Sequence, residues 1–161
     1  MTTQTTPFPR TILEDRDNDQ TAHLLQESLA DMVDMSLLLK QAHWNVVGKN
    51  FRSVHLQLDE VLESTRSASD ELAERMAALG VSPDGRAGTV NEQSSLRDYP
   101  TGFQSVDDTI SLVADALKST IDRLRHAIEQ LGSLDPITED LCIGISGELE
   151  KHLWMVQSQE V

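Results

Sequence analysis

Five side chains of this sequence have the chemistry and spacing to share a metal ion: His43, His55, Asp59, Asp70 and Glu74. Gly48-Lys49-Asn50 reads as the turn of a helical hairpin, with His43 six residues before Lys49 and His55 six residues after it. Positions equidistant from the turn of an antiparallel helix pair lie level, so the two imidazoles are expected side by side. Asp59 follows His55 by four residues, as Glu74 follows Asp70, and each pair shares a helix face. Eleven residues separate Asp59 from Asp70, about 16 Å along a helix, too far for one metal centre. Either the chain carries two partial sites, or a second copy packed antiparallel brings its Asp70 and Glu74 to the first copy's histidines. The second arrangement completes a site across a two-fold axis and is the expectation adopted here. Imidazole with carboxylate suits Fe(II), Mn(II) or Zn(II), whereas structural zinc favours cysteine.

The elements that must hold these groups are helices. Residues 1–18 are polar and are expected to form a flexible arm, with one domain over 19–158. Asp17-Asn18-Asp19 offers caps for a first helix over about 19–47, stopped by Gly48; its apolar positions, among them Leu25, Met32, Leu37 and Leu38, recur at helical spacing. Asn50 can cap a second helix over about 51–79, stopped by Gly80 and Pro83. A long connection follows, with a short helical turn expected around 92–98. Ser105 and Asp108 resemble a capping box for a third helix over about 106–131. Asp135-Pro136 is a strong start signal for a fourth, over about 136–157. Trp154, Met155 and Met32 read as core. The pattern is all-α, a four-helix bundle with one long crossover between the second and third long helices, which is the ferritin-like arrangement. On such a bundle a His/carboxylate set points to iron. None of the five histidines has a Glu three residues before it, so the Glu-x-x-His motifs of an intrachain di-iron centre are missing.

Composition narrows the function further. A formal net charge of −14 argues against general nucleic-acid binding and against an anionic membrane surface, and favours attraction of cations. The single cysteine, Cys142, rules out an intrachain disulfide framework. No apolar run approaches a membrane span and no signal core is evident, so a cytoplasmic location is expected.

His43-Trp44-Asn45, His55, Asp59, Asp70 and Glu74 together resemble the ferroxidase signature of the Dps miniferritins, the DNA-binding proteins of starved bacterial cells. The resemblance spans about 19–157 and includes Asn50-Phe51 at the turn, Asp70-Glu71-Leu72-Ala73-Glu74-Arg75, and Glu150-Lys151-His152-Leu153-Trp154-Met155. It implies a hollow homododecamer of tetrahedral symmetry built from two-fold dimers. His43, His55 and Asp59 would come from one subunit, and Asp70 and Glu74 from its neighbour. It also implies a ferroxidase that oxidises Fe(II), with hydrogen peroxide preferred over oxygen, and stores ferric mineral, protecting the cell from oxidative damage. Two iron positions per composite site have a physical rationale: a pair of Fe(II) ions supplies both electrons that peroxide takes, whereas a lone ion would release hydroxyl radical.

Trp44 adjoins His43 and is either a redox neighbour of the metal or part of the dimer interface. His23, His126 and His152 lack comparable partners and are left out of the site. In this fold the start of the last helix tends to approach a three-fold axis, where Glu139, Asp140 and, less readily because it caps its helix, Asp135 would form an acidic pore. The basic tails typical of the family are missing: the first nineteen residues hold Arg10 and Arg16 against Glu14, Asp15, Asp17 and Asp19, and the whole chain has four lysines. Direct duplex binding is therefore not expected. The competing reading is a nucleoid-compacting stress protein whose iron chemistry is secondary.

Overall fold

The last two helices start where their sequence signals place them. In the computed structural model, which describes residues 7–161, Ser105 caps a helix (α4, Val106–Leu131), accepting from the backbone N–H of Asp108 at 3.1 Å and donating to its carboxylate at 2.6 Å. Asp135 caps the next (α5, Pro136–Gln157) through the N–H of Ile137. Both caps are local, needing only residues two or three positions apart.

The first two long helices are α1 (Asp15–Asn45) and α2 (Phe51–Ala78). Helix α1 begins four residues before the expected start, and none of Asp17, Asn18 and Asp19 caps it: Glu14 holds that position without a side-chain bond. Asn18 instead donates to the carbonyl of Leu79 at 3.1 Å, tying the first turn of α1 to the end of α2. The part of the expected arm over 1–6 lies outside the described residues. Helix α1 also stops two residues early. Val46–Val47 form a short strand (β1) paired in parallel with Gln104–Ser105 (β2), the two residues that lead into α4. Asn50 precedes α2 in the left-handed region at φ 62 and makes no side-chain cap. At the other end the N–H groups of Gly80 and Val81 bond back to the carbonyls of Ala77 and Met76, and Gly80 takes φ 81, the glycine-dependent helix stop.

The crossover carries a short helix, α3 (Ala87–Gln93), earlier in the chain than expected. Its place is set by hydrogen bonds to α1. The Gln26 side chain exchanges two bonds of 2.9 Å with the backbone of Asp84, and Ser95 gives both its N–H and its hydroxyl to the buried carboxylate of Asp31. Arg123 of α4 completes that carboxylate's shell at 2.8 Å. Burial pushes the Asp31 carboxyl above the usual range, and these partners work against it.

Helix α1 packs on α2 and α4, and α5 packs on α4 and α2, which closes the four-helix bundle. The core runs down the middle through side chains such as Leu25, Met35, Leu72, Leu117, Leu124 and Leu149. Met32 is buried as expected, but Trp154 is 63% exposed and Leu37 62%. Both lie on bundle faces that no element among the described residues covers.

Candidate metal centre

The two histidines do come level across the α1–α2 turn. Their rings stack with centroids 3.6 Å apart and planes inclined by 25°. Each clasps the other's backbone: His43 Nδ1 lies 2.9 Å from the carbonyl of His55, and His55 Nδ1 lies 3.0 Å from the carbonyl of His43. A carbonyl only accepts, so Nδ1 of each ring carries the proton and donates. Each Nε2 is then the nitrogen with a free lone pair, the form in which imidazole binds a metal.

Asp59 stands one turn beyond His55, with an oxygen 3.3 Å from His43 Nδ1. Its main partner is Lys40, whose ammonium lies 2.6 Å away. That hydrogen bond holds the Asp59 carboxyl below the usual carboxylate range; partial burial opposes the shift, and the charge of Lys40 adds to it. Lys40 was not singled out from sequence, though a signal existed. It is nine residues before Lys49 and Asp59 is ten after, so the mirror count that pairs the histidines brings these two level to within one residue.

Asp70 and Glu74 lie farther along α2, exposed and away from this cluster. Among the described residues of the single chain, no three His, Cys, Asp or Glu side chains are grouped to hold a metal ion. Within one chain the fold stacks His43 on His55 and sets Asp59 against Nδ1 of His43, and it leaves Asp70 and Glu74 exposed farther along α2. Trp44, one residue from His43, is 68% exposed.

The residues at the start of α5 divide in two. The Asp135 carboxylate is buried and bonded by Thr138 and by Arg75 Nη2 at 2.5 Å, while Arg75 Nε donates to Thr138 at 2.9 Å. It is an anchor between α2 and α5 rather than an open charge. Glu139 is half-buried beside Gly132 and Asp140 is exposed, on a cavity of about 260 Å³ also lined by Glu71 and Glu148. His152, omitted from the site on sequence grounds, is buried and bonded at 2.9 Å to Ser64, which donates to Glu148 at 2.6 Å. Burial lowers its pKa from the ordinary histidine value.

The ferritin-like domain family matches residues 22–160. A protein of Mycolicibacterium smegmatis named "DNA protection during starvation protein" is 38% identical over 146 residues, covering 91% of this chain and 80% of that one. The "Fine tangled pili major subunit" of Haemophilus ducreyi is 39% identical over 142 residues, covering 86% and 75%. Among solved structures, Mycobacterium smegmatis Dps in its tetragonal form superposes with a TM-score of 0.91 at 37% identity, over 96% of this chain and 94% of that one. Dps from Microbacterium arborescens "in the high iron form" gives 0.88 at 29% identity, over 93% and 98%.

Proposed function

The chain belongs to the Dps family of ferritin-like proteins, and we propose from that premise that it is a ferroxidase and iron store. In this reading it oxidises Fe(II) with hydrogen peroxide at sites shared between two subunits and holds the ferric product inside a homododecamer. The observation that carries the reading is the reciprocal His43–His55 clasp, which leaves each ring a free Nε2 lone pair, with the ionised Asp59 3.3 Å from Nδ1 of His43. The outward-facing Asp70 and Glu74 are the groups a two-fold neighbour would supply. Carboxylates suit this role because they stabilise the ferric product and can bridge two ions. Peroxide takes one electron from each of two Fe(II) ions and, with two protons, leaves as two waters, so no hydroxyl radical is released.

The test is anaerobic Fe(II) titration of the assembled protein followed by addition of peroxide. The expected result is saturation at two Fe(II) per composite site and oxidation of two Fe(II) per peroxide, with spin traps silent. Oxidation of one Fe(II) per peroxide with trapped hydroxyl radical would sink the proposal. A second reading, DNA compaction, is prompted by the name of the Mycolicibacterium relative. Electrostatics oppose it: a −14 chain repeated twelve times repels a duplex and releases few counterions from it. In chelator-treated protein, retardation of linear DNA at physiological salt would favour that second reading. No helix among the described residues is long and apolar enough to cross a membrane, and cytoplasmic action is part of the proposal.

Entry of the substrate is assigned to Glu139 and Asp140, with Asp135 set aside because its carboxylate is already bonded. Repeated around a three-fold axis, the two carboxylates would concentrate Fe(II) at the pore mouth. Glu139→Gln with Asp140→Asn should slow oxidation several-fold at limiting Fe(II) and little at saturation, and raised salt should do the same to the wild type. An unchanged rate at limiting iron would place the entry path elsewhere.

A further inference from the structure

The histidine clasp depends on a feature remote from any ligand. The carbonyl of His43 is among the last of α1, and in a helix that ran on to Val47 it would accept the Val47 N–H. Helix α1 does not run on. Val46 is the last residue to close a helical bond, from its N–H to the carbonyl of Ala42, and its own backbone is extended at φ −68, ψ 132. Val46 and Val47 are paired instead with Gln104 and Ser105. The His43 carbonyl is thereby left for Nδ1 of His55 at 3.0 Å. The reverse bond has a different character, since the carbonyl of His55 lies inside α2.

We propose that the β1–β2 bridge is a positioning device for the metal centre. By ending α1 at Asn45 it keeps the proton of His55 on Nδ1 and its Nε2 lone pair free. Gly102 and Ser105 are then positioning residues. Gly102 brings the chain into β2 at φ 84, a conformation that strains a side-chain-bearing residue. A Cβ built there meets nothing within 4 Å, so a substitution acts through the backbone and not by collision. Ser105 anchors the other end of β2 as the cap of α4. Val46 and Val47 suit either role weakly as helix formers, because branching at Cβ restricts χ1 against the preceding turn. The bridge decides between the two outcomes.

This inference rests on the proposed function only for its consequence in metal binding, and the two can fail separately. The experiment is ¹⁵N NMR of sedimented, ¹⁵N-histidine-labelled protein, with His55 identified by loss of its signals in His55→Gln, alongside anaerobic Co(II) titration. In Gly102→Val the His55 proton should redistribute from Nδ1 towards Nε2, while His43, with its acceptor inside α2, serves as the internal control. Co(II) affinity should fall about 10- to 100-fold, the usual cost of losing an outer partner of a histidine ligand. Gly102→Asn, which tolerates positive φ, should restore both. Leu124→Ala, a core truncation that also lowers the melting temperature, should change neither. If Gly102→Val does not assemble, Ser105→Ala, which removes only the cap, is read in the same way. An unchanged His55 tautomer in the variant that assembles overturns the inference, and so does an equal shift at His43 or in Leu124→Ala. Should the tautomer shift as expected while the wild type binds no Co(II), the positioning role stands and the metal function falls.

Discussion

Two inactive preparations should regain activity when their subunits are mixed. One carries His43→Ala with His55→Ala, and the other Asp70→Ala with Glu74→Ala. Each alone should lose ferroxidase rate by about 100-fold or more, since removal of an outer partner already costs 10- to 100-fold and these are the proposed ligands themselves. In a two-fold dimer each composite site takes histidines from one subunit and carboxylates from the other. A mixed dimer therefore has one site stripped of both histidines and both outer carboxylates, with only Asp59 left, and one site intact. Random pairing of equal amounts makes half the dimers mixed, so about one quarter of the wild-type sites should return. The physical basis is the distance along α2: Asp70 and Glu74 are too far from Asp59 to reach the same ion, and they are exposed in the single chain. Mixed dimers demonstrated by native mass spectrometry but showing no recovered rate would rule out the shared site.

The second large effect concerns stability. Asp135→Ala should cost about 3–5 kcal/mol, the usual penalty for breaking a buried ion pair and stranding its partner. For a chain of this size that lowers the melting midpoint by about 10 °C. Arg75 would be left buried without its carboxylate, Thr138 and the N–H of Ile137 would lose an acceptor, and α5 would lose its cap. The effect has a pH signature. Burial tends to raise the Asp135 carboxyl, but the bonds from Thr138 and Arg75 outweigh it and the net shift is downward. A carboxyl whose folded pKa lies below its unfolded value stabilises the fold fully above the unfolded pKa, about 3.9. That contribution fades as pH falls through the folded value. The gap between wild type and Asp135→Ala should therefore be widest at neutral pH and narrow below about pH 4. Melting midpoints that coincide at pH 7 would show that the buried pair contributes nothing net. Because Arg75 follows Glu74 directly, the same variant should also loosen the segment that carries the outward carboxylates.

Much of this architecture was written in local signals. The starts of α4 and α5 could be read to the residue because Ser105–Asp108 and Asp135-Pro136 cap their own helices, with no help from distant parts of the chain. The His43–His55 pairing was legible for a related reason: a tight turn between two helices makes sequence distance from the turn a measure of height along the hairpin. The same arithmetic held Lys40 opposite Asp59, unread. Where an element's end depends on a partner far along the chain, sequence alone misplaced it. Asn18 looked like a cap and instead reaches Leu79, sixty-one residues away. Val46 and Val47 looked like the last turn of α1 and instead pair with residues 104 and 105. The short crossover helix settled where Gln26 and Asp31 hold its flanks. Trp154, apolar and at helical spacing, read as core, but burial depends on which faces of a bundle meet, and its face of α5 is left uncovered by the described residues. Helix identity, caps and the turn that levels the histidines were therefore properties of the sequence, because each is settled within a few residues. The end of α1, the proton on His55, the Asp135 anchor and the separation of the two ligand clusters were decided by tertiary structure, because each depends on groups that only the folded bundle brings within bonding distance.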